Sequence, residues 1–174
     1  MGLSKESIFL LMQEGKRRPF TGNLITLGRQ DISATYDEIV QLAKRIAYPL
    51  HPVPEIAYSE KPEMKEEGLL SDNTFFKLLG FKETKSMDVS NYESADIVFD
   101  LNQSELSMEL CGAFEVVLDG GTIEHVFHIP NSLKNIFRLL SVGGARDPYF
   151  AFFESSGSWV LYVFSHVFSG LLSS

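Results

Sequence analysis

Apolar residues follow mostly helical spacing before Phe81 and mostly strand-length runs after it. From Ser4 to Glu14, Ile8, Leu11 and Met12 recur on one helical face behind a serine able to cap the first turn. Pro19 and Gly22 break the chain, and Asn23 to Gly28 reads as a buried strand ending in a glycine turn. Ser33 or Thr35 can cap a second helix through Ile46, with Ile39, Leu42, Ala43 and Ile46 on one face. Pro49, Pro52, Pro54 and Pro62 forbid long regular elements, so residues 48–68 read as a surface loop or insertion. A helix capped by Asp72 runs to Leu79, with Gly80 beyond its end and Phe75, Phe76, Leu78 and Leu79 as core material.

After Phe81 three strands are expected. They are Thr84 to Val89, Ala95 to Phe99 ending in Asp100, and Phe114 to Leu118 ending in Asp119-Gly120-Gly121. Asn131 caps a last helix whose face is Leu133, Ile136, Phe137, Leu139 and Leu140, closing at Val142-Gly143-Gly144. Strands alternating with helices predict an α/β fold, a Rossmann-like three-layer sandwich around a mostly parallel sheet.

Composition narrows the function classes. A chain of 174 residues, 44% hydrophobic and 22% charged, is ordinary for one globular domain. Its net charge of −8 repels phosphate backbones, and no basic run exceeds Lys16-Arg17-Arg18, so nucleic acid is not an expected partner. Cys111 is the single cysteine, which rules out an internal disulfide and suits a reducing compartment. The start of the chain lacks a signal-peptide pattern, and Glu6 occupies the position where N-myristoylation needs Ser or Thr. Val160 to Leu172 is apolar but shorter than the about 20 residues a membrane helix needs. A cytoplasmic protein with no membrane partner is expected.

Candidate chemistry gathers at strand ends. In open parallel sheets, ligands bind beyond the carboxyl ends of the strands. Asp88, Asp100 and Asp119 stand at three such ends and Gly28 at a fourth. Acids there can accept hydrogen bonds from ribose hydroxyls or an adenine amino group, and a glycine lets a ligand approach the backbone closely. Asp and Gly are also common in turns after strands for reasons of conformation alone.

The segment Phe114-Glu115-Val116-Val117-Leu118-Asp119-Gly120-Gly121-Thr122-Ile123-Glu124-His125-Val126, with the helix from Asn131 to Gly144, resembles the fourth-strand motif of class I S-adenosylmethionine-dependent methyltransferases. Ser86-Met87-Asp88-Val89-Ser90 resembles that superfamily's second-strand end, and Asp96 to Asn102 its third. The resemblance implies S-adenosylmethionine as cofactor and a small-molecule methyl acceptor. Asp88 would hold the ribose, Asp100 and Leu101 the adenine, and Gly28, Asp119, Gly120 and Gly121 the floor near the methionine part. Glu124 and His125 are candidate catalytic residues, His125 as a general base. The first-strand turn departs from the superfamily's Gly-x-Gly pattern, since Leu27-Gly28-Arg29-Gln30 has one glycine.

The resemblance stops after Gly144, where a fifth strand is due. Reading the genetic code one base forward from Ala145 permits Arg-Val-Ile-His-Ile-Ser-Pro, an alternating strand and the start of a polar loop. Residues 145–174 are therefore read as a divergent, frameshifted tail, and the fold as incomplete at its C-terminal end. Two other functions compete with methyl transfer: an inactive fragment or non-catalytic interaction module, and a metal-dependent hydrolase using Asp119, His125 and His128. Neither a P-loop nor a Gly-x-Ser-x-Gly elbow occurs.

Overall fold

A computed structural model describes residues 2–141 and 149–152. In chain order the elements are β1 (Gly2–Leu3), α1 (Lys5–Arg17), β2 (Asn23–Leu27), β3 (Asp31–Ile32), α2 (Tyr36–Ile46), α3 (Pro62–Glu66), α4 (Asp72–Leu79), β4 (Glu83–Asp88), β5 (Ile97–Val98), β6 (Val116–Asp119), α5 (Ile129–Leu139) and β7 (Tyr149–Phe152). Short 3-10 turns occupy Met108–Leu110 and Ile123–His125. The fold is α/β with a mostly parallel, Rossmann-like sheet. The chain divides into two compact units, Met1–Gly22 with Arg29–Thr84, and Asn23–Gly28 with Lys85–Ser174.

In the first unit the helix ends are set by local side chains. Ser4 caps α1 by accepting from the Ser7 N–H. Thr35, not Ser33, caps α2 in a full capping box with Glu38, two reciprocal bonds that satisfy otherwise unpaired amides. Ser71 rather than Asp72 caps α4, because its hydroxyl reaches the Thr74 N–H while Asp72 is already the first helical residue. Gly80 ends that helix in the left-handed region, φ 107°. The proline-rich stretch is more ordered than a plain loop: α3 starts on Pro62, and isolated bridges join Tyr58 to Leu70 and Thr35 to Leu69. The two-residue strands β1 and β3 pair in parallel, burying Leu3 and Ile32.

Phe20 stacks on Phe81 at 4.5 Å, and Phe76 meets Phe81 edge-on at 6.1 Å. Tyr48 is buried beside them in sequence-distant company, its hydroxyl donating to the Leu79 carbonyl at 2.8 Å. Burial alone pushes its phenol up to about 12. Gly15 explains how α1 comes so near. A Cβ there would meet the Tyr48 Oη at 2.7 Å and the Phe20 ring at 2.8 Å. Gly15→Ala gains about 1 kcal/mol of helix propensity but forces rings apart, an overpacking that costs about 1–3 kcal/mol. A lower urea midpoint is expected for Gly15→Ala, and a midpoint above the parent's would show that the rings give way freely.

In the second unit the sheet order is β5-β4-β2-β6-β7. By first appearance in this sheet that is 3-2-1-4-5, the order of doubly wound nucleotide folds. β2 pairs β6 in parallel from Leu24 opposite Val116 to Leu27 opposite Asp119, and β6 pairs β7 in parallel. β4 pairs β5 in parallel, Asp88 opposite Val98. All four residues of β6 are buried, as expected of a central parallel strand. Ile25, Leu27, Met87, Leu101, Val117, Ile136 and Leu139 form one apolar cluster that docks α5 on the sheet.

Several boundaries move. The strand expected over Ala95 to Phe99 shrinks to Ile97–Val98, because Asp96 accepts from Ser86 instead of continuing the ladder, at 2.8 Å from both Ser86 N and Oγ. Phe114 lies outside β6 and makes an isolated bridge to Leu140. His128, not Asn131, caps α5: Pro130 already sits in the first turn, and the His128 Nδ1 accepts from the Asn131 N–H. The fifth place in the sheet, expected to be empty, is taken by Tyr149–Phe152. The Val142-Gly143-Gly144 stop, the apolar stretch Val160 to Leu172 and the rest of the proposed frameshifted tail lie outside the described residues. Among those described, no helix is long and apolar enough to cross a membrane.

Candidate functional site

Parallel register brings the expected strand ends to one edge. Leu27 is opposite Asp119. The Gly28 N–H donates to the Met87 carbonyl at 2.7 Å, so the end of β2 also lies beside the end of β4. Gly28 has φ 75°, a conformation in which a side chain would be strained. The first turn needs its glycine on these grounds alone. Arg29, beyond it, belongs to the first unit, where its guanidinium bonds Asp72 at 3.2 Å.

Asp88 closes β4 half-buried. Its Oδ1 accepts from the Ser90 N–H at 3.1 Å, a short turn that fixes the carboxylate at the strand end. Asp100 lies two residues beyond β5. Its Oδ1 accepts from the Asn102 backbone at 2.9 Å and from the Asn102 amide at 2.7 Å. In both residues the second carboxylate oxygen makes no hydrogen bond among the described residues. The two acids are thus held by one oxygen and open at the other.

Asp119 is different. It is fully buried, and both its oxygens serve its own loop, accepting from the N–H groups of Gly121, Thr122 and Ile123 at 3.1, 2.6 and 3.1 Å. Burial pushes its carboxyl above the ordinary range, against the pull of those three donors, and the nearby Glu124 charge adds to the rise. Those three bonds shape the turn through Gly120 and Gly121 (φ 113°). The Thr122 hydroxyl then ties this loop to the first strand by donating to the Leu27 carbonyl at 2.7 Å.

Leu101 also plays a packing role, with its side chain in the apolar cluster. Its carbonyl accepts from the Asn135 amide, which bridges to the Gln103 carbonyl at 2.7 Å. Asn102 receives the His128 N–H on its Oδ1 and the Asn131 amide on its carbonyl, both at 2.7 Å. This ladder of amides anchors the start of α5 to the loop after β5. Sequence reasoning missed it, as it missed Thr122. Pro130 was the available signal for where α5 begins, but nothing local announces partners some thirty residues apart.

The candidate catalytic pair sits in the turn after the Asp119 loop. His125 Nε2 lies 3.5 Å from Glu124 Oε1, and the imidazole side chain is 73% exposed. The two histidines of the metal reading do not share a helix face, since His125 lies in the 3-10 turn and His128 caps α5. With both Asp119 oxygens already engaged, Asp119, His125 and His128 form no ligand set. Among the described residues, no group of three or more His, Cys, Asp or Glu is placed to hold a metal. Tyr92 and Phe127, in the loops after β4 and β6, are almost wholly exposed and offer aromatic faces.

No family model matches the chain, and no curated protein matches it.

Proposed function

We propose that the second unit binds S-adenosylmethionine at the carboxyl edge of its sheet and that the protein transfers the methyl group to a small-molecule acceptor. The observation that carries this reading is the pair Asp88 and Asp100, at the ends of two neighbouring parallel strands, each fixed through one carboxylate oxygen and open at the other. An open carboxylate oxygen can accept from a ribose hydroxyl at Asp88 and from an adenine amino group at Asp100, a charge-assisted fit in both cases. Gly28 adds a turn without a side chain at the point where the strand order reverses, which is where such folds take their ligands. The residues present therefore suit the nucleoside part of the cofactor.

When bound, S-adenosylmethionine supplies an electrophilic methyl on a cationic sulfur. The protein's part is to align an acceptor in line with that bond and to keep water out. Gly28, Gly120 and Gly121 would floor the methionine part, with Asp119 holding that floor in shape from beneath. Tyr92 and Phe127 would flank an acceptor, and His125, in the turn after the floor, is the nearest candidate to take its proton. Titration calorimetry with S-adenosylmethionine tests the reading directly. Micromolar, saturable binding, matched or exceeded by S-adenosylhomocysteine, is expected; a flat titration would remove methyl transfer from consideration.

The second reading is a non-catalytic module on a nucleotide-binding fold. It is favoured by the single-glycine first turn, where Arg29 follows Gly28 directly. That flat titration is what it expects.

A further inference from the structure

The first unit contains a groove between α1 and α2 that the methyl-transfer reading does not use. It encloses about 370 Å³, within the range of about 300–1,000 Å³ common to small-molecule sites. Its walls follow from helix geometry. Lys5, Ile8 and Phe9 stand three and four residues apart on α1, and Glu38, Gln41, Leu42 and Arg45 do so on α2, so each helix lends one stripe. The floor is apolar and buried: Ile8, Ala34 and Ile39 are at most 2% exposed, with half-buried Phe9 and Leu42 above them.

The two ends of the groove differ in charge. At one end Lys5 pairs with Glu38, whose other oxygen accepts from the Thr35 N–H at 2.9 Å. The one acid on the wall is thereby neutralised and fixed. Arg45 stands seven residues further along α2, about 10 Å at the helical rise. It is exposed, and it has no hydrogen-bond or ion-pair partner among the described residues. An apolar trough of that length, with a satisfied ion pair at one end and an uncompensated guanidinium at the other, matches a ligand with an apolar body and one negative head.

We propose that this groove binds a small amphipathic monocarboxylate, its apolar body along Ile8, Phe9 and Leu42 and its carboxylate on the Arg45 guanidinium. The planar fork of arginine suits a carboxylate in a two-point contact that an ammonium or a hydroxyl cannot reproduce. A cationic amphiphile of the same length would be repelled by Arg45.

The test is an amide-resolved NMR titration of the full chain with octanoate, and with octylamine as the oppositely charged control. Octanoate is expected to give saturable shifts concentrated on α1 and α2, and octylamine none there. Arg45→Gln should weaken octanoate at least about tenfold, the loss of one charge-assisted contact. Arg45 is exposed, so the variant should keep the parent spectrum away from the groove, and Leu42→Asp provides a second, independent block of the apolar wall. Equal shifts from octylamine, or octanoate affinity unchanged in both Arg45→Gln and Leu42→Asp, would overturn the proposal.

Discussion

Asp119→Ala should lower the unfolding free energy by about 3 kcal/mol, because three backbone donors lose their only local acceptor in a water-poor site. Those donors are the amides of Gly121, Thr122 and Ile123. Urea unfolding near neutral pH measures the loss, and Asp119→Asn, which keeps one acceptor oxygen, should recover about half of it. A pH signature accompanies this. The folded carboxyl is raised above its ordinary value of 3.8. Between the ordinary and the raised value the native state therefore holds a proton that the unfolded chain has released. Stability from this group is then greatest below the ordinary value and falls as pH rises through the folded one. The stability gap between the parent and Asp119→Asn, which does not titrate, should shrink with rising pH over that window. A gap that widens instead would mean that the three donors outweigh burial.

The largest functional effect is expected at Asp88. If its open oxygen receives a ribose hydroxyl, Asp88→Ala removes one charge-assisted hydrogen bond, about 1.5–3 kcal/mol, and weakens S-adenosylmethionine by roughly 10- to 100-fold. Its structural duty is slight by comparison, a single bond from the Ser90 N–H. Thermal unfolding of Asp88→Ala should accordingly stay close to the parent's while calorimetric affinity collapses. Parent-like affinity in this variant would take the ribose role away from Asp88 even if the cofactor binds elsewhere.

Much of the architecture was legible because short-range rules set it. Ser4 and Thr35 announced their helices through side-chain chemistry confined to one turn, and the apolar runs at Asn23–Leu27 and Val116–Asp119 became paired parallel strands. The errors of one to three residues at Asp72 and Asn131 arose where two polar residues competed for one cap and the structure chose the earlier. β1 and β3 went unseen since two residues carry no periodicity. At the site, the positions of Gly28, Asp88 and Asp119 on one edge followed from strand ends. What each acid does there did not. An Asp-Gly-Gly turn reads the same whether its carboxylate faces a ligand or, as with Asp119, its own backbone. The Asn102, Asn131 and Asn135 ladder depends on tertiary proximity that no local pattern encodes.

The brevity of β5 has a bearing on how this protein behaves in a crowded solution. As the outermost member of its sheet it could serve as a template for strands from other molecules. Among the described residues β5 pairs only through Ile97 and Val98, and the Asp96 carboxylate just before them is folded back onto Ser86. A neighbouring chain would find too few backbone groups in line to begin a continuous ladder, so growth of cross-molecular fibrils from this border is suppressed by its shortness.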